Sequence, residues 1–460
     1  MVTALVAILA SALRLISLNQ VTELVFDETY YVKDGWSLWS LGYEGRWAED
    51  SNPLFAAGSD EGLSPQGSFV VHPPVGRWLI GAGMGLLGQG NPVGWRLAAA
   101  LAGVAGVILV CRLAWQLFGS LTLTALAGVF LATDGLHLVM SRTALLDIFL
   151  STFVLAAFLA VALDQRDLSA RLRVGRFPPT SLGWRPWLLV AGVMLGLACA
   201  TKWSGIYAVA VLGLFVVGRE ALWRFKLADP HWIRNTIFPD ALVAFCQLVL
   251  VAAAVYLASW FSWFTHPDAW GHTGRGSALA QWWEYQRATM SFHSGLSTPH
   301  PYMSDPTGWL VQARPTMFYF NRVEGGDVSV ISSLGNPILW WVGAAAVVGL
   351  VVATALRASW QTGFVLLGFV AMYLPWFLYP ERTMFTFYAV SFAPFVALAS
   401  AWLLSWLLGV FQPTGRAVQW LGWFCVGLVL LSAALYLPLW LGIPIPYEHW
   451  QYLTLFPGWG

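Results

Sequence analysis

Two consecutive acids, Asp27 and Glu28, sit in the run Phe26-Asp27-Glu28-Thr29-Tyr30-Tyr31 of a 460-residue chain that is 58% hydrophobic and only 10% charged. A charge held beside apolar sequence is costly, so it usually faces a cavity and has a partner. A carboxylate within reach of a hydroxyl can take its proton as a general base. His72, Arg77, Arg96, Arg142, Asp147, Lys202, Glu381 and Arg382 all lie at or near the ends of apolar runs. Arg and Lys gathered at one level suit a phosphate, Arg through bidentate donors and Lys as a compact charge. Plainer roles compete with these. Arg and Lys at span ends snorkel to headgroups, and Asp27 suits an N-cap. Asp147, one helical turn beyond Arg142, is expected to pair with it. His72-Pro73-Pro74 reads as a rigid helix entry. His293 and His300 have no neighbouring acid, so structural hydrogen bonds are expected of them rather than metal ligation.

The elements that must position these residues are membrane helices. Apolar runs fall near 2–18, 94–117, 121–139, 146–164, 187–201, 204–217, 241–260, 336–356, 362–379, 384–408 and 417–440. They predict about 11 transmembrane helices in an all-α polytopic membrane protein treated as one domain, 1–460. Residues 2–18 could be read as a signal-peptide core ending at Ala10-Ser11-Ala12. The basic flank of a signal peptide is missing, so an uncleaved first span is expected. The net charge of +1 offers no basic field for nucleic acid. Cys111, Cys199, Cys246 and Cys425 lie in apolar runs without zinc-site spacing and read as small buried residues.

Positive charge orients the chain. Arg166, Arg171, Arg173, Arg176 and Arg185 form one basic loop, and Arg219, Arg224, Lys226 and Arg234 another; both are expected in the cytoplasm. That requires the short Gly-rich segment 74–88 to dip into the outer interface rather than cross. The N-terminus is then cytoplasmic and the C-terminus outside. Two long outer segments result, 19–93 with the acidic motif and interfacial helices, and 261–335, and loops of that length are usually functional. Spacing alone leaves the reaction open. A proton-coupled transporter would also need carboxylates and bases in a membrane cavity, but these charges cluster at one surface and no inverted repeat is visible.

Several motifs resemble those of protein O-mannosyltransferases. They are Phe26-Asp27-Glu28-Thr29-Tyr30-Tyr31-Val32-Lys33, Val71-His72-Pro73-Pro74-Val75-Gly76-Arg77, Trp95-Arg96-Leu97 and Ser141-Arg142-Thr143-Ala144-Leu145-Leu146-Asp147. Further along come Thr201-Lys202-Trp203-Ser204-Gly205, Phe292-His293-Ser294, His300-Pro301-Tyr302-Met303-Ser304 and Pro380-Glu381-Arg382-Thr383-Met384-Phe385. The matches run in family order from about residue 26 to 395. The acidic motif is shared more widely among GT-C glycosyltransferases that use polyprenyl-phosphate sugars. The second long segment is too short for the β-trefoil domain of eukaryotic members, so the chain resembles a bacterial, actinobacterial member.

The resemblance implies a GT-C fold in the cell membrane. It implies inverting transfer of mannose from polyprenyl-phosphate mannose to Ser or Thr of secreted proteins, at the outer face and in company with the secretion translocon. Asp27 is then the expected base and Glu28 its support. Arg96, Lys202 and Arg382 are the expected phosphate ligands, with His72, Arg142 and Asp147 as support. His293, His300 and Tyr302 are candidates for the acceptor groove. No metal or other cofactor is required, although Asp27, Glu28 and His72 are a candidate divalent-cation site. The alternatives are another GT-C transferase acting on a lipid or glycan, and a transporter.

Overall fold

The computed structural model describes residues 1–173, 182–323, 325–357 and 359–460; Arg176 of the first basic loop lies outside them, as do the side chains of Arg171 and Arg173. Among the described residues, seven helices are long and apolar enough to cross a membrane: Pro92–Phe118, Asp147–Ala170, Gly205–Lys226, Trp232–Ser259, Pro337–Arg357, Trp360–Leu378 and Arg416–Leu441. Five shorter apolar helices, Val2–Leu15, Val75–Leu87, Leu121–Ala132, Pro186–Cys199 and Ala393–Leu407, pack among them. Every predicted apolar run thus holds an apolar helix.

The centre of the bundle is the helix Asp147–Arg173, which packs on Pro92–Phe118 and Pro186–Cys199. Small residues let neighbouring backbones approach: a Cβ on Gly192 of Pro186–Cys199 would sit 2.1 Å from the Gln247 carbonyl oxygen of Trp232–Ser259.

Three runs that look continuous in sequence are broken. Leu121–Ala132 stops before Asp134, whose side chain accepts from the His137 N–H at 3.0 Å and caps the short helix Gly135–Met140. Trp360–Met372 gives way to a 3₁₀ turn, Leu374–Leu378, with a proline at its start. The run 384–408 begins as the 3₁₀ turn Thr386–Ser391, and Ala393–Leu407 follows with Pro394 in its first turn. Each break leaves irregular backbone beside charged residues.

The segments 19–93 and 261–335 fold over one end of the bundle. The first contains the helices Glu28–Leu41 and Val75–Leu87, packed on each other, and the antiparallel strands β1 (Gly45–Trp47) and β2 (Leu63–Gly67). The second carries the helix Ala278–Gly295 and the strands β3 (Met317–Arg322) and β4 (Asp327–Ser332). β4 also pairs with β5 (Ile445–Pro446), tying the C-terminal region to this layer.

Candidate active site

The acid pair is aimed by a strained backbone. Phe26 has φ +48°, in the left-handed region that costs a non-glycine residue energy and tends to persist at functional sites. Its ring is pinned between β3 and the Thr386–Ser391 turn. It stacks on Phe318 at 4.7 Å and meets Phe387 edge-on at 5.5 Å. Asp27 follows at the N-cap position of Glu28–Leu41, yet its side chain makes no capping bond. Glu28 instead takes the local Val25 N–H, at 3.0 Å.

The two acids then diverge. Glu28 is fully buried, and its oxygens accept Arg96 Nε (2.9 Å), Arg96 Nη2 (2.8 Å), the Ala144 N–H (2.9 Å) and the Val25 N–H. Four bonds fill a carboxylate's acceptor sites, so Glu28 has none left for a substrate proton. The Asp27 carboxylate makes no side-chain hydrogen bond or ion pair among the described residues and is partly accessible. Burial pushes its pKa up to about 6; Lys202 opposes the rise and Asp147 adds to it. A carboxyl tuned toward neutrality is suited to proton transfer.

Two expected cations turn out to be braces. Arg96 is buried, and besides Glu28 it donates to the carbonyls of Leu18, Val21 and Glu23. All five guanidinium N–H groups are engaged, which corrects its expected place on the phosphate. Arg142 does not pair with Asp147. It donates to the carbonyls of Leu13, Arg14, Ile16 and Ser17, holding the exposed end of the first helix. Carbonyls orphaned at a helix C-terminus attract such donors. Asp147 pairs with Lys202 at 2.8 Å.

Lys202 and Arg382 keep donors free. One of the three ammonium protons of Lys202 serves Asp147, and the ammonium lies 5.1 Å from the Tyr388 ring centre. Arg382 lies over Trp376 and bonds to His293, but its buried Nη1 has no partner among the described residues. Buried donors are normally satisfied, so this one is a candidate ligand contact.

Two histidines lie within the fields of both cations. His72 and His293 stack at 5.2 Å. Burial, then Lys202, His293, Arg77 and Arg382, hold His72 well below the ordinary histidine range. Its buried Nδ1 also has no partner among the described residues. The positive fields of Lys202 and Arg382 thus reach both rings, and Lys202 also reaches Asp27. The His300 ring packs edge-on against Phe385 at 5.0 Å and accepts the Tyr302 N–H; His300 and Tyr302 are both half-buried, like His72 and His293.

The candidate cation site does not fit the donors present. Glu28 has no acceptor site left, and the described residues contain no group of three or more His, Cys, Asp or Glu able to hold a metal ion. Three contributors escaped the sequence reading. Tyr31 lies within the fields of Asp27 and Asp147, and burial together with these acids raises its hydroxyl well above the usual range. Tyr388 stacks on Trp376 at 4.9 Å and underlies Lys202; the aromatic run Phe385-Thr386-Phe387-Tyr388 was its available signal. Arg14, fully buried, joins the first helix to His137 and Ser141, and one arginine inside an apolar run gave no sign of that.

Comparison with known proteins places this arrangement. Residues 4–266 match the family described as dolichyl-phosphate-mannose-protein mannosyltransferase, and residues 278–459 match the C-terminal four-transmembrane region of protein O-mannosyltransferases. The polyprenol-phosphate-mannose–protein mannosyltransferase of Mycolicibacterium smegmatis is 34% identical, over 99% of this chain and 92% of its own length. The Corynebacterium glutamicum protein of the same name is 31% identical over 99% and 92%. Among solved structures, the Saccharomyces cerevisiae Pmt1-Pmt2 complex bound to the sugar donor matches with a TM-score of 0.77, at 17% identity, over 100% of this chain and 92% of that one. Cupriavidus metallidurans ArnT bound to undecaprenyl phosphate matches with a TM-score of 0.53, at 16% identity, over 96% and 74%. The chain therefore belongs to the protein O-mannosyltransferase family, multi-pass membrane glycosyltransferases of the GT-C fold.

Proposed function

We propose that this protein transfers mannose from a polyprenyl-phosphate mannose to Ser or Thr hydroxyls of translocating proteins at the extracytoplasmic face of the cell membrane. The observation that carries this reading is the uncommitted Asp27 carboxylate beside Lys202, in the same field of charge as an unpartnered Arg382 nitrogen. The names of the full-length bacterial relatives supply the sugar donor and the acceptor class.

Asp27 accepts the proton of the acceptor hydroxyl as that oxygen forms its bond to the anomeric carbon. The bond from that carbon to the phosphate oxygen breaks, and polyprenyl phosphate leaves with the electron pair. A single displacement inverts the anomeric centre. Lys202 and Arg382 meet the charge that grows on the leaving phosphate, where fixed donors lower a barrier most. Glu28 and Arg96 hold the backbone that leads into Asp27, and Arg142 holds the end of the first helix. Asp147 fixes Lys202. His72, kept neutral, offers a hydrogen bond without adding charge. His300 and Tyr302, both half-buried, face the approach of the acceptor.

The test is incubation of the purified protein with labelled polyprenyl-phosphate mannose and a Ser/Thr-rich peptide. Label on the peptide supports the proposal. Label only on an added lipid or glycan would instead indicate another GT-C transferase, and solute flux without labelled product would indicate a transporter.

A further inference from the structure

We infer that His293 is a positioning residue, which holds the Arg382 guanidinium in the one orientation that presents its free nitrogen to the phosphate of the sugar donor. This inference rests on the proposed function and adds to it a residue in the segment 261–335, expected from sequence to shape the acceptor groove.

The hydrogen bonds fix the imidazole's tautomer. His293 Nε2 lies 2.9 Å from the Val71 carbonyl oxygen, which can only accept, so Nε2 carries the proton. Nδ1 then has a lone pair, and Arg382 Nη2 lies 3.2 Å from it as the donor. Arg382 Nε reaches the His293 carbonyl at 3.4 Å. The arginine is therefore gripped by both the side chain and the backbone of one residue, while the buried Nη1 has no partner among the described residues. The Trp376 ring, 5.9 Å from the guanidinium carbon, limits movement on another side.

His293 is itself held from three directions. Val71 anchors its ring to the segment preceding Val75–Leu87, His72 stacks on it at 5.2 Å, and Trp203 lies 6.1 Å away. The chain around Arg382 is locked to the segment 261–335 that carries His293: the Thr383 N–H donates to the Leu296 carbonyl at 3.0 Å, and the Ser304 N–H to that of Met384 at 2.8 Å. A neutral acceptor suits this task. Burial holds the His293 pKa down to about 4, the bond to Val71 raises it, and Arg382 and Lys202 lower it further, so at neutral pH the ring accepts from the guanidinium rather than repelling it.

The experiment compares His293→Gln, His293→Phe, Arg382→Ala and the double variant H293F/R382A, purified in detergent. Steady-state mannosyl transfer to a peptide and equilibrium binding of undecaprenyl phosphate are measured for each. Glutamine can both accept from Arg382 and donate to Val71; phenylalanine fills the space and does neither. H293F should raise KM for the sugar donor and weaken undecaprenyl phosphate binding by about tenfold, the effect of one charge-assisted hydrogen bond lost. Peptide KM should stay unchanged, H293Q should retain most of the affinity, and the double variant should bind no worse than R382A. Additive losses in the double variant, or a change in peptide KM alone, would overturn the inference and return His293 to the acceptor side. If R382A binds undecaprenyl phosphate normally, the phosphate role of Arg382 fails; if R382A fails to bind while H293F binds normally, only the positioning role fails.

Discussion

Adjacent acids with similar intrinsic acidity acquire opposite roles from their surroundings. Glu28 is fully hydrogen-bonded, whereas Asp27, with no side-chain partner among the described residues, has its pKa raised to about 6. The rate of transfer should therefore fall as pH drops through about 6, because protonation removes the base. Asp147 raises the Asp27 pKa and Lys202 lowers it. Asp147→Asn should move this acid limb to lower pH, and Lys202→Met should move the limb of its residual rate to higher pH. A limb unmoved in both would disconnect it from Asp27. The pKa of Asp27 is raised on folding, so its ionisation destabilises the fold as pH rises from about 4 through about 6. Asp27→Asn should unfold at a higher temperature than the wild type at neutral pH, a trade of stability for activity. The acid pair was legible in the sequence because charge is scarce there. The roles of the cations were not: Arg96 and Arg382 both lie near the ends of apolar runs, and only the folded backbone shows that carbonyls fill one and leave the other a free nitrogen.

At the scale of elements, the site depends on braces between segments far apart in sequence. Glu28–Arg96 ties Glu28–Leu41 to Pro92–Phe118, and Arg142 holds the end of Val2–Leu15. Removing one member of a buried ion pair leaves the other uncompensated. Arg96→Leu should therefore lower stability by roughly 3–5 kcal/mol, read by thermal unfolding in detergent. Arg382→Ala should leave the unfolding temperature near wild type but weaken transition-state binding by about 2–4 kcal/mol, read from kcat/KM. The opposite pattern would exchange their assigned roles. The helices were legible from their apolar runs, since a span must satisfy its own backbone bonds within lipid. The breaks at Asp134 and around Thr386–Ser391 were less so, because a cap or a 3₁₀ turn is chosen by long-range partners such as Asn336 and Trp340 on Asp134.

Across the whole molecule, polar networks occupy both ends of the central helices. At the end away from Asp27, Arg185 and Arg219 share Asp164 and Glu220, and Arg224 pairs with Asp229 and Asp240. Of the arginines read from sequence as two basic loops, Arg185, Arg219 and Arg224 are thus buried in ion pairs, whereas Arg166 and Arg234 are exposed. They still count toward orientation, which follows Lys and Arg rather than net charge. The proposed orientation can be read in intact cells with a membrane-impermeant maleimide. Arg275→Cys, in an exposed turn, should label from outside; Lys226→Cys, also exposed, should label only after the membrane is opened. The reverse pattern would place the site in the cytoplasm. The proposed chemistry needs no metal, so chelation should leave transfer within about twofold of the untreated rate, far less than the loss of an essential Lewis acid would cause. The layer above the bundle was the least legible part. β3 and β4 pair locally, but β5 joins them from more than a hundred residues away, which no local pattern announces.

The central claim is that Asp27 takes the acceptor proton in mannosyl transfer. It is tested most directly by comparing Asp27→Asn with the wild type, at saturating polyprenyl-phosphate mannose, for label transferred to a Ser/Thr peptide. The predicted result is a loss of about 10²–10⁴-fold in turnover, the usual contribution of a general base, with binding of the sugar donor unchanged. Turnover close to wild type with the sugar donor bound would contradict the account.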